Sequence, residues 1–268
     1  VKRYFLYIAA IAILLISCQF STESVGKTYS AQLVSNEIAS PRLLDSIQSQ
    51  IYDAFVKGMI NKSAAPMTEM NKQLGSLYEE SPNKLIHYWQ AYLSYYKAIF
   101  HLQMNQQKAS EEAVEDGITL LEDMSRKNSE DFALLALMES FSLQFKSSMK
   151  LAFVSGDVKE HAQKSKELNP ENPRAYFVLG SNDFYTPEKY GGKKKAESYL
   201  KKAISLPAQE QPNPYLPSWG VEESYEMLVK YYIQEEEWEN AKKYFAEARE
   251  KYPNNYRINE MAPKLVGK

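Results

Sequence analysis

Residues 223–255 read "ESYEMLVKYYIQEEEWENAKKYFAEAREKYPNN", and this stretch decides the fold. Tyr225, Leu228, Val229 and Tyr232 share one stripe of a first helix, because residues three and four apart lie on the same helical face. Trp238, Ala241, Phe245 and Ala248 share a stripe of a second helix. Pro253 stops that helix, since proline has no N–H to give and its ring clashes with the preceding turn. The polar run "QEEEWE", residues 234–239, supplies the turn between them. Ala241 and Ala248 let the two backbones approach, while Tyr225 and Phe245 fill the space beside them.

The same pattern recurs upstream. Tyr176, Leu179 and Gly180 in "NPRAYFVLGSNDF" mark another first helix, and Ala196, Leu200 and Ala203 its second. "HAQKSKELNPENP" carries Ala162, Ser165 and Pro170, the end of an earlier second helix. "SEDFALLALMESF" offers Phe132, Leu135 and Ala136; "IHYWQAYLSYYKA" offers Trp89, Tyr92, Leu93 and Tyr96. Ser46–Glu80, with Ile51, Phe55, Leu74 and Leu77, has only a faint signature. No sustained period-two run appears from Arg42 onward, so the chain reads as all-α.

This order of large aromatic, Leu-Gly, Ala, Phe, Ala and Pro resembles the tetratricopeptide repeat (TPR), with Val229 in place of the usual glycine of the last unit. The anchors Trp89, Phe132, Tyr176 and Tyr225 lie 43, 44 and 49 residues apart. Those spacings exceed the usual TPR period of about 34 residues, so helices or turns are lengthened. The resemblance implies a right-handed solenoid of four to five helix pairs over about 42–255. "YRINEMAPKL" then forms a C-terminal capping helix that covers the apolar end of the stack. The order "NPENPRAYFVLGSNDFYTPEKYGGKKKAESYLKKA … PSWGVEESYEML" is also similar to an uncharacterised group of TPR lipoproteins from Bacteroidetes-type bacteria, which brings no activity with it.

The N-terminus carries an address. Lys2 and Arg3 precede an apolar run from Tyr4 to Ile16, short for a membrane span but suited to a signal-peptide core. Leu15-Ile16-Ser17-Cys18 resembles the bacterial lipobox, and Cys18 is the one cysteine of the chain. The resemblance implies a signal peptide over 1–17 and cleavage before Cys18. Diacylglycerol would then sit on the sulfur and a fatty acyl chain such as palmitate on the new amine. Each buried methylene contributes about 0.8 kcal/mol, so several acyl chains anchor a protein firmly. Residues 18–41 are polar, without a clear apolar period, and read as a flexible tether to a helical domain over 42–268. Gln19 follows the cysteine where aspartate marks inner-membrane retention in some bacteria. The expected address is therefore the outer membrane, and the lack of an acidic run straight after Cys18 favours its periplasmic side.

Composition narrows the chemistry. The 268 residues carry a formal charge of −2, 44% hydrophobic and 25% charged residues, an ordinary globular balance that argues against a general nucleic-acid binder. His87, His101 and His161 are the three histidines. His87 and His101 stand about 21 Å apart along one helix and cannot share a metal. HExxH and CxxC are absent, so the sequence implies no metal, no cofactor and no enzyme.

"TPEKYGGKKKAESYL", residues 186–200, poses a local question. Gly191-Gly192 followed by Lys193, Lys194 and Lys195 suggests an anion cradle. A phosphate loop, however, wants GxxxxGK[ST] between a strand and a helix, and here the glycines sit between two helices. Asp183 stands where the repeat has tyrosine, and four extra residues precede Ala196. The preferred reading is an enlarged inter-helix turn.

Partners of TPR proteins lie against the first helices, on the concave side. The resemblance carries those positions to Arg174, Phe177, Ser181 and Tyr185, then to Glu223, Glu226, Lys230 and Gln234. The function that follows is a lipid-anchored envelope scaffold that binds proteins or peptides in this groove. An outer-membrane protein assembly factor and a glycan- or nutrient-capturing lipoprotein, the latter motivated by 20 tyrosines, stand as alternatives.

Overall fold

The computed structural model describes residues 43–268, except residue 211 and the side chains of residues 148–152 and 190. The signal peptide, Cys18 and the tether expected over residues 1–41 lie outside the described residues. Among the described residues no strand occurs, and no helix is long and apolar enough to cross a membrane.

Five helix pairs follow one another: α1 (Ile47–Asn61) with α2 (Ala65–Glu80), α3 (Lys84–Gln103) with α4 (Gln107–Glu122), α5 (Ser129–Ser142) with α6 (Ser148–Leu168), α7 (Pro173–Tyr185) with α8 (Ala196–Ile204), and α9 (Val221–Gln234) with α10 (Trp238–Lys251). Three of these hairpins turn on a single left-handed residue, Lys62, Asn105 and Glu236 with φ of 50°, 58° and 59°. The faint stretch at the N-terminus is thus a full pair. Its Ile51, Phe55, Leu74 and Leu77 are all buried.

The long spacing of the repeat has two sources. α3 and α6 run to 20 and 21 residues, which stretches the first units. α8 has only 9 residues, and the last spacing is made up by a long loop, 205–220. Beyond α10 the chain forms two short helices, α11 (Tyr256–Asn259) and α12 (Ala262–Leu265), where one capping helix was expected. Pro263 sits at the start of α12, so the segment breaks there. Ile258, Met261 and Leu265 are still buried and cover the end of the stack.

Small residues set the approach of the rods. A Cβ added at Gly180 on α7 would stand 2.8 Å from Leu200 Cγ and 3.3 Å from the Ala196 carbonyl on α8. Ala196, Leu200, Ala203, Ala241 and Ala248 are all fully or almost fully buried. Polar groups lock the α5–α6 pair. Ser165 on α6 and Ser129 on α5 exchange hydrogen bonds, with Ser165 Oγ donating to the Ser129 carbonyl at 2.7 Å, and Asn172 Nδ2 donates to Ser129 Oγ at 2.8 Å.

In the last pair an aromatic packs differently from the sequence reading. Tyr244, rather than Phe245, fills the space beside Ala241 and Ala248. It stacks on Tyr232 at 5.4 Å with an interplanar angle of 5°, and Lys201 Nζ from α8 lies 5.8 Å from the Tyr232 ring centre. Phe245 is half-buried under Arg249. The phase of the helix decides this: Tyr244 is three residues after Ala241 and four before Ala248, on the buried face.

Gly180→Val should therefore lose about 1–3 kcal/mol of stability through overpacking. Urea unfolding would show this as a lowered midpoint at an unchanged slope; an unshifted midpoint would mean that α7 and α8 do not approach as described.

Candidate binding pocket

The loop 205–220 does not hang into solvent. Gln209 gathers it: the side-chain amide donates to the carbonyls of Asn213 at 3.0 Å and Leu216 at 2.7 Å, and its oxygen accepts the Asn213 N–H at 2.8 Å. The loop then crosses to the first half of the stack. The Trp89 indole N–H donates to the Tyr215 carbonyl at 2.9 Å, and the Ser218 N–H donates to Gln48 Oε1 at 2.8 Å. Trp219, 2% exposed, lies at its end. Its indole N–H donates to the Tyr88 hydroxyl at 2.8 Å. Its ring stacks with Tyr92 at 6.3 Å and meets Phe177 edge-on at 6.2 Å.

Arg174 fixes both ends of this loop. Its guanidinium donates to the carbonyls of Ala208 at 2.9 Å and Trp219 at 3.1 Å, while Nε and Nη2 fork onto the Glu130 carboxylate. A planar fork suits a carboxylate held this way. Gly220 passes directly over Arg174, with φ of 101° and a hypothetical Cβ 2.9 Å from Arg174 Cγ. Only glycine meets both demands. Arg174 is thus 4% exposed and committed within the chain. Where a groove contact was expected, the structure places a latch.

With the loop as one wall, the inner faces of α3, α5, α7 and α9 enclose a cavity of about 290 Å³. Tyr92, Tyr95 and Tyr96 come from α3, Phe141 from α5, Phe177, Ser181 and Tyr185 from α7, and Glu223, Glu226 and Lys230 from α9. Arg257 reaches in from α11. Six of the eight positions expected to touch a partner therefore converge on one cavity. Arg174 stands behind the Trp219 wall, and Gln234 is exposed at the end of α9 without lining the cavity. Tyr185, 66% exposed, stands at the mouth.

Tyr92, Tyr95, Tyr96, Phe141, Trp219 and Arg257 join the site unannounced by the repeat pattern. Tyr92 and Tyr96 read as packing positions of a first helix, and their phenols do face each other at 3.5 Å. The "AYLSYY" spacing of Tyr92, Tyr95 and Tyr96 was the available signal: three aromatics on a single face of α3. Nothing local marked Arg257, which enters only because the end of the chain folds back.

The α9 side of the cavity is charged. Glu226 pairs with Lys230, one turn on, and with Arg257 Nη1 at 3.9 Å. Glu223 accepts the Gly220 N–H at 2.6 Å, capping α9. Burial pushes the Glu223 carboxyl up to about 7, against that hydrogen bond and with the charges of Glu222 and Glu226 adding to the rise. Burial likewise pushes the Tyr95 hydroxyl up to about 12, opposed by the Arg257 charge.

The glycine–lysine turn is built differently. Asp183 Oδ2 accepts the N–H groups of Lys195 at 2.8 Å and Ala196 at 2.9 Å, and the Lys193 N–H donates to the Asp183 carbonyl at 2.8 Å. The helix N-terminal donors that an anion would take are held by the chain's own carboxylate. This gives the departure from tyrosine at Asp183 a physical reason. Among the described residues no group of three or more His, Cys, Asp or Glu side chains could hold a metal ion.

No protein-family model matches the chain, and no curated protein matches it. Among solved structures it is similar to a thermophilic TPR protein of Thermus thermophilus, at 15% identity and a TM-score of 0.52, over 81% of this chain and 99% of that one. A further likeness is to the HusA haemophore from Porphyromonas gingivalis, at 21% identity and a TM-score of 0.47, over 62% of this chain and 83% of that one. The first likeness shows a TPR-like fold.

The raised carboxyl of Glu223 has a consequence for stability. The folded chain holds a proton on Glu223 that the unfolded chain releases, from the ordinary carboxylate range up to about 7. Stability contributed by this group therefore falls as pH rises through that window. Glu223→Gln keeps an oxygen for the Gly220 N–H, and should flatten the decline in Tm between about pH 5 and 8. An equal decline in both proteins would show that Glu223 is not desolvated.

Proposed function

We propose that this chain is a lipid-anchored scaffold of the bacterial cell envelope, which holds a protein or peptide partner in the concave pocket of its helical stack. The observation that carries the reading is the convergence of four first helices on one aromatic, accessible cavity. TPR-like folds bind partners through that face, and aromatic anchors in a desolvated pocket dominate such contacts. The resemblance of residues 15–18 to a lipobox supports the anchor, Gln19 favours the outer membrane, and the lack of an acidic run after Cys18 favours its periplasmic side.

The loop sharpens the reading. It fills the groove from Trp219 toward α1, so a long segment does not run the length of the stack. A partner inserts a short part of itself beside Tyr185 and Phe177. Capture of a small nutrient or glycan is a second reading, favoured by the aromatic walls of the cavity, because ring faces can stack on an apolar or sugar face.

Two measurements test the proposal. Cys18→Ser should abolish palmitate labelling and release the protein from the membrane fraction; persistent labelling would remove the anchor. A photo-crosslinking residue at Tyr185 should trap a reproducible envelope protein in cells, and the same residue at Glu250 on the outer helix α10 should not. Equal or absent trapping at the two positions speaks against a concave partner site.

A further inference from the structure

The charges inside the cavity are laid out in order along α9. Glu223 stands at the N-terminal end, and among the described residues no side-chain cation is hydrogen-bonded or ion-paired to it; it accepts the capping hydrogen bond from the Gly220 N–H. One turn further, Glu226 is shared by two cations, Lys230 and Arg257. One carboxylate facing two cations leaves a surplus of positive charge at that end. The opposite end holds the carboxyl of Glu223, which burial keeps at about 7 while no cation is paired to it and which an arriving ammonium group would ionise. Seven residues separate Glu223 from Lys230, about 10 Å of helix axis.

Between these poles the walls are apolar rings: Tyr95, Tyr96, Phe177 and Trp219. A cavity of about 290 Å³ lies at the small end of ligand pockets, which run from about 300 to 1,000 Å³. An uncharged occupant would bury the poles without a counter-charge, at a desolvation penalty. A simple cation or anion would satisfy one pole and oppose the other. A free amino acid satisfies both charges but is too short to span them. Three extended residues, at about 3.3–3.6 Å each, span the distance.

We infer that the pocket takes a short peptide with free ends and bulky apolar side chains, its ammonium group toward Glu223 and its carboxylate toward Lys230 and Arg257. Four named contacts define the fit: the ammonium on Glu223 with the faces of Tyr96 and Trp219 around it, the side chains against Phe177 and Tyr95, and the carboxylate in a charge-assisted hydrogen bond to Arg257. The inference rests on the concave-pocket reading above and specifies its ligand class. Of the protein or peptide partners open to that reading, it selects a peptide with free ends.

The test uses the purified full chain and four forms of one probe, the tripeptide phenylalanyl-alanyl-phenylalanine: free, N-acetylated, C-amidated, and blocked at both ends. Calorimetric titration should give tightest binding to the free form, with a loss of at least about tenfold on blocking either end, the size of one lost charge-assisted contact. In Glu223→Gln the free and acetylated forms should differ less than about threefold, while amidation still weakens binding. Arg257→Gln should show the converse. A loss of overall fold would weaken all four forms alike, so this crossed pattern separates recognition from stability.

Equal binding of the doubly blocked and free forms would overturn end recognition and leave a pocket for an internal segment. No binding of any form, together with trapping at Tyr185 in cells, would overturn the ligand class and spare the concave site. No binding and no trapping would overturn both.

Discussion

Arg174 holds the architecture of the site together. Removing a guanidinium from water is expensive, and a lone buried charge would unfold its surroundings. Here the cost is offset by a forked carboxylate from α5 and two loop carbonyls that take both Nη1 donors. The consequence is geometric more than energetic. Buried ion pairs are weak grounds for stability, but a group that must satisfy several partners at once fixes where they stand. Glu130, Ala208 and Trp219 are brought to one point, and the loop 205–220 has a single seat.

From that seat follows the shape of the pocket. Trp219 is carried against Tyr88, Tyr92 and Phe177, and the concave side becomes a cavity closed at one end. A bare stack of helix pairs would offer a long, open trough. This protein has traded most of its trough for depth. The outlying elements act in the same direction: α11 folds back so that Arg257 reaches Glu226, giving the cavity a charge pattern that α9 alone would lack.

The sequence carried the fold far more clearly than the site. Tyr225, Leu228, Val229 and Tyr232 read as a buried stripe and are one, because helical phase is a local property of the chain. The same locality explains Gly180 and the alanines, whose small size matters only to the neighbouring rod. Tyr244 and Phe245 show the limit. Both are adjacent aromatics, and a shift of one residue in phase decided which was buried. Phe177, Ser181, Tyr185, Glu223, Glu226 and Lys230 were legible as inward positions of first helices, since the repeat places them there. Arg174 was legible as inward but not as occupied.

What the residues determined by themselves is an all-helical chain of paired rods, punctuated by Pro253, by the Gly191-Gly192 turn and by small residues at the crossings; the sequence before it only resembles a lipoprotein address. Those features depend on neighbours within a few tens of positions. Only the tertiary structure decided that the loop returns to the first half of the stack, where its hydrogen bonds join residues 126 and 131 positions apart. Pairings so remote leave no periodic trace in the chain. They are set by which buried donors still lack an acceptor once the rods have packed: Trp89, Arg174 and Trp219 found theirs across the concave face.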